Sequence, residues 1–119
     1  PLDTCGFVRL EGRRYRAIRE CNDPMVQALI ENYRIWLKGG AERHRGEYEV
    51  RSSILYDTVA VYLSFSEELL VMERLGVRVT DDGHTVLDDK AKAINCATRW
   101  RDLSAFESLL VKRLTGRDI

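Results

Sequence analysis

Asp23-Pro24 and Gly39-Gly40 frame one helix at both ends. An aspartate ahead of a helix accepts hydrogen bonds from first-turn N–H groups that have no carbonyl to meet. Proline suits the first helical position, where its missing N–H would have stayed unbonded anyway. Inside the frame, Val26, Leu29, Ile30, Tyr33, Trp36 and Leu37 recur at helical spacing, and glycine then lets the chain turn away. A long amphipathic helix needs other elements to cover its apolar stripe.

The remaining pattern supplies them. Pro1 to Phe7 reads as an entering loop or short strand. Glu11 to Cys21 reads as a short helix, with Tyr15, Ile18 and Cys21 three residues apart. Ala41 to Arg51 is polar and reads as a loop. Asp57 to Phe65 is densely apolar, as a helix or a strand, because its β-branched residues favour the second. Val71, Leu75, Val77 and Val79 share one strand face, broken by Glu73. Asp81-Asp82-Gly83 is a turn, and Thr85 to Leu87 returns antiparallel. After Asp88-Asp89, Ile94, Cys96, Thr98 and Trp100 line one face of a third strand. Ser104 with Glu107 forms a capping box for a last helix, and Gly116 stops it. The expected fold is α+β, helices packed with a small antiparallel sheet, in a single domain or subdomain over residues 1–119.

Lys plus Arg and Asp plus Glu number 19 each, so the formal net charge is zero. That argues against a nucleic-acid binder. No apolar run approaches the roughly 18 residues of a membrane span. The 3 cysteines form neither a disulfide framework nor a zinc ligand pair, which fits a reducing, cytoplasmic setting.

Asp57 stands out among the residues that could carry chemistry. At a helix start a carboxylate can simply answer the exposed N–H groups and the dipole. Alternatively it can ligate a hard cation, but calcium takes about 6 to 8 oxygens, more than one aspartate supplies. Asp81, Asp82, Asp88 and Asp89 fall at turns, and His44 and His84 lie in polar surroundings. Arg13, Arg14, Arg16 and Arg19, with Arg43 and Arg45, make basic patches diluted by Glu11, Glu20, Glu42 and Glu47. Trp36 and Trp100 read as packing anchors. The eight glycines build no phosphate-binding loop.

Order and spacing across the chain resemble the C-terminal part of the inosine-uridine preferring nucleoside hydrolase family. Pro1-Leu2-Asp3 followed by Thr4 is similar to that family's P-L-D-V-T segment without the valine. Tyr56-Asp57-Thr58-Val59-Ala60-Val61 resembles its H-D-P-x-A-V helix start. Leu75 to Val79 and Thr85 to Asp88 resemble its late strands, and Phe106 to Leu114 its closing helix.

The resemblance implies an enzyme that hydrolyses the N-glycosidic bond of a ribonucleoside to free base and ribose, using Ca2+. It implies that Asp57 closes the calcium shell. Tyr56 stands where many members carry a histidine beside the leaving base, so it is the candidate catalytic residue. Tyrosine departs from histidine there: a phenol ordinarily titrates near pH 10, about 3.5 units above imidazole. The family's aspartate-rich N-terminal motif and its ribose-binding central segment are not in this chain. The expectation is therefore a C-terminal fragment, inactive alone, that pairs with the missing N-terminal portion or self-associates through exposed apolar surface. The alternative is a divergent, non-catalytic relative that acts as an interaction or structural module.

Overall fold

The computed structural model describes residues 1–39 and 46–118. The readings for Glu42, Arg43, His44 and Arg45 lie outside the described residues. The elements are α1 (Leu2–Cys5), α2 (Gly12–Arg19), α3 (Pro24–Lys38), α4 (Glu47–Val50), α5 (Tyr56–Leu63), β1 (Leu70–Val79), β2 (Thr85–Leu87), β3 (Ala93–Trp100) and α6 (Leu103–Thr115). This is an α+β fold: helices packed with an open three-stranded antiparallel sheet of order β2-β1-β3.

The local rules that mark α3 operate as expected. The Asp23 side chain accepts from the Met25 and Val26 N–H groups, Pro24 opens the helix, and Gly39 caps it. The entering segment differs from expectation, because Leu2 to Cys5 close a helical turn rather than a strand. Within the stretch expected as loop, Glu47 to Val50 also form one turn. At α6 the cap is Asp102, which accepts from the Ala105 N–H at 2.8 Å, and not Ser104. Glu107 is drawn elsewhere, onto Arg14 at 2.7 Å. The same guanidinium donates to the Ser104 carbonyl and hydroxyl and to the Ser108 hydroxyl, so Arg14 ties α2 to α6.

Two buried clusters hold the molecule. The first gathers Leu10, Tyr15, Ile18, Cys21, Val26, Ile30 and Val111 between α2, α3 and α6. The second gathers Val8, Val59, Tyr62, Leu70, Ala97 and Phe106 where α5 and α6 meet the sheet. Leu55 packs against both. Trp100 serves as the expected anchor, with its ring 4.7 Å from Phe106 and its Nε1 donating to the Thr4 carbonyl at 2.8 Å.

The strand faces depart from simple alternation. Val71 pairs with Arg99 but Met72 pairs with Ala97, so Thr98 is an extra residue in β3. Such a bulge shifts the alternation by one position. It sets Ala97 and Trp100 against the second cluster and leaves Ile94 on the outside. Val79, expected on an apolar face, is also exposed.

Gly76 is required by close approach. A Cβ there would lie 2.2 Å from the Asp88 carbonyl oxygen and 3.3 Å from that of Ala91. Gly76→Ala is expected to cost about 2 kcal/mol by overpacking, read as a lower urea midpoint with unchanged slope. The turn beyond β2 carries a pH response. Asp88 accepts from the Lys90 N–H and from Arg78 Nε, both at 2.9 Å. The first bond, then the second, holds its carboxyl below the ordinary range. A depressed carboxyl stabilises the fold above its unfolded-state pKa and stops doing so as pH falls through its folded value. Protection of the Lys90 amide, the slowing of its exchange relative to an unfolded chain at the same pH, should therefore fall only on acidification below the usual aspartate range.

Candidate functional site

The chain reaches the site through an extended segment. Arg51 bridges Glu11, the Ser52 N–H donates to the Leu10 carbonyl, and the Leu55 N–H to the Val8 carbonyl. Leu55 then caps α5 without a side-chain bond, and the Thr58 hydroxyl bonds back to the Leu55 carbonyl at 2.6 Å. The short apolar run resolves as a helix. Its buried face is Val59 and Tyr62, and the opposite face is Asp57, Ala60, Val61 and Ser64, all exposed.

Asp57 sits in the first turn of α5, two residues beyond the N-cap Leu55. It has no ion pair or hydrogen bond among the described residues. Toward its own helix it offers the weak attraction of a carboxylate to a helix start. One turn further on the same helix, Val61 is 64% exposed, and Leu2 and Phe7, on and beside α1, are exposed as well. α1 packs on α5. Tyr56 is exposed too, with its ring edge near Gly6.

No group of three or more His, Cys, Asp or Glu side chains capable of holding a metal occurs among the described residues. One carboxylate offers two oxygens where calcium takes about 6 to 8, so these residues alone do not make a calcium site. The turn carboxylates stay apart from Asp57. Asp82 lies against His84 Nδ1 at 3.2 Å, and Asp88 is held by Arg78. His84 is exposed in that hairpin.

The basic stretch of α2 divides rather than forming a patch. Tyr15 is buried in the first cluster, and Arg14 is committed to α6. Arg19 lies 4.8 Å above the Tyr48 ring and pairs with Glu49 at 2.9 Å. Trp36 is not the packing anchor expected from its spacing. It is 63% exposed and stacks on Tyr33 with 6.1 Å between ring centres. With Met25, Ala28, Leu29 and Ile35 it forms a second, exposed apolar stripe on α3 beside the buried one. The spacing 25, 28, 29, 35, 36 is visible in the sequence, but it overlaps the core stripe 26, 30, 33, 37, and the two read as one broad face.

A largely apolar cavity of about 320 Å³ lies between α2, α3 and α6. Leu55 and Thr58 line it, whereas Tyr56 and Asp57 do not. No helix among the described residues is long and apolar enough to cross a membrane. No family model matches the chain, and no curated protein matches it.

Proposed function

We propose that this chain is the C-terminal portion of a calcium-dependent ribonucleoside N-ribohydrolase, inactive until joined by the polypeptide that carries the rest of the site. The observation that carries the reading is the exposed Asp57 carboxylate, without a partner among the described residues, beside Ala60 and Val61 on the outer face of α5. Attraction to the helix start needs no bond, and among the described residues the Asp57 carboxylate has neither an ion pair nor a hydrogen bond. The resemblance around Tyr56-Asp57 names a further use for it: one ligand of a calcium ion whose other ligands lie outside this chain. Tyr56, half-exposed beside it, would border the leaving base as a neutral hydroxyl donor.

The shape of the chain supports a covered face. Its radius of gyration is 16.8 Å, where a compact chain of this length has about 13.5 Å. Its accessible surface is 8398 Å², about 1,800 Å² more than a compact monomer of this mass exposes. That surplus exceeds the roughly 800 Å² that one partner contributes to a standard protein interface.

The test is nucleoside hydrolysis by the protein read from the full reading frame, with and without calcium. Release of base that disappears with a chelator and returns with calcium is expected, and the isolated chain should release none. Absence of hydrolysis by the complete, folded protein on purine and pyrimidine ribonucleosides alike would instead favour the second reading, a non-catalytic interaction module. Tyr56 in place of histidine is the observation that favours that alternative.

A further inference from the structure

Protein interiors pack at the density of organic crystals, so a space of molecular size is uncommon. Small-molecule sites are such spaces, of about 300 to 1,000 Å³, with apolar walls and a few polar groups that fix the ligand's orientation. The cavity between α2, α3 and α6, at about 320 Å³, falls at the small end of that range. At about 30 Å³ for each water-sized atom it holds on the order of ten heavy atoms.

Its walls follow from helical spacing. α2 supplies Ile18, α3 supplies Leu29 and Ile30, and α6 supplies Leu110 and Leu114. Residues three and four apart share a helix face, so the two leucines of α6 bring Arg113 to the same side. Arg113 is exposed and yet borders the cavity, which puts its charge where the space opens to solvent. Its side chain has no ion pair or hydrogen bond among the described residues. Ser52, Ser53 and Thr58 add hydroxyls. Two of them are already used: Ser52 donates to the Ser53 carbonyl at 2.7 Å, and Thr58 to the Leu55 carbonyl at 2.6 Å. The Ser53 hydroxyl has no partner among the described residues. Among those residues no Asp or Glu borders the cavity.

We propose that this cavity binds a small amphipathic carboxylate, a medium-chain fatty acid of about eight carbons. Its alkyl tail lies among the leucine and isoleucine side chains, and its carboxylate meets Arg113 and the Ser53 hydroxyl at the opening. Aliphatic walls from three helices favour an alkyl chain, because burial of apolar surface is non-directional. The lining carries one cation and no anion, so charge complementarity selects a monoanion over a neutral molecule of the same shape. The planar guanidinium fork suits a carboxylate. Tyr56 and Asp57 do not border the cavity, so the site stands apart from the calcium reading.

The test follows the leucine methyl signals of the chain by ¹H–¹³C NMR during titration with octanoate, and separately with octanol as its neutral counterpart. Saturable shifts at Leu29, Leu110 and Leu114 are expected, with Leu87, exposed on β2, unmoved. Arg113→Gln should weaken octanoate about fivefold, the upper reach of an exposed ion pair, and leave octanol as it was. Arg113→Lys should restore part of the loss. Arg113 is exposed and without a partner among the described residues, so these variants should keep the fold. Asp57→Asn should alter neither titration. Absence of saturable shifts at the cavity leucines would overturn the proposal. So would octanoate affinity that is unchanged in Arg113→Gln, or a loss that octanol shares equally.

Discussion

Phe106→Ala is expected to remove most of the stability of this chain. Phe106 is 1% exposed, with ring centres of Trp100 at 4.7 Å and Tyr62 at 5.1 Å. Truncating a buried phenylalanine costs about 3–5 kcal/mol, because the lost transfer energy is joined by a cavity that its neighbours only partly fill. Whole domains are stable by about 5–15 kcal/mol, and a fold split into two modest clusters belongs near the bottom of that range. Urea unfolding followed by tryptophan fluorescence should show the midpoint collapse. Phe65 provides the comparison. It touches the same Tyr62 ring edge-on at 5.4 Å but is 61% exposed. Phe65→Ala should therefore cost less than about 1 kcal/mol. Equal losses for the two would mean that the second cluster is not organised around Phe106.

Asp57→Asn is expected to divide activity from stability. In the complete protein it should lower calcium-dependent kcat/KM by about a hundredfold or more, since even residues that merely orient metal ligands cost 10- to 100-fold. In the isolated chain the same change should alter the unfolding free energy by less than about 0.5 kcal/mol, because the carboxylate is exposed and has no bond among the described residues. Activity measured across calcium concentrations separates the outcomes. A loss recovered at high calcium reports weakened binding, while a loss that persists reports misplacement of the ion. Unaltered activity, or a stability change that accounts for the whole loss, would remove Asp57 from the site.

Much of the architecture was legible because its signals are local. Asp23, Pro24 and the periodic apolar residues specify α3 without reference to the rest of the chain, and Gly116 ends α6 in the left-handed conformation that glycine favours. The turn at Asp81 to Gly83 likewise needs only its own residues. The errors lie where distant partners decide. Glu107 had the right spacing for a capping box, but Arg14, distant in sequence, claims it. Ala97 and Trp100 share a side only because of the bulge at Thr98, and a bulge in β3 is set by its pairing with β1. Trp36 looked like core because its position fits a helical period, yet a second apolar stripe has the same period. For the candidate site, the sequence picked out Tyr56 and Asp57, and the structure adds that both are exposed and that the N-cap of α5 is Leu55. The cavity beside Arg113 could not be read from the chain, since its walls come from three helices and nothing local marks the space between them.

Leu55 touches both buried clusters immediately before the turn that carries Asp57. α6 spans the same divide, sending Phe106 into one cluster and Val111 into the other. The aim of that carboxylate thus hangs from two supports, and slackening either one tilts it. If Asp57 ligates calcium as proposed, quiet changes around Leu10 or Ile18 would surface as altered ion affinity with no group near the ion disturbed.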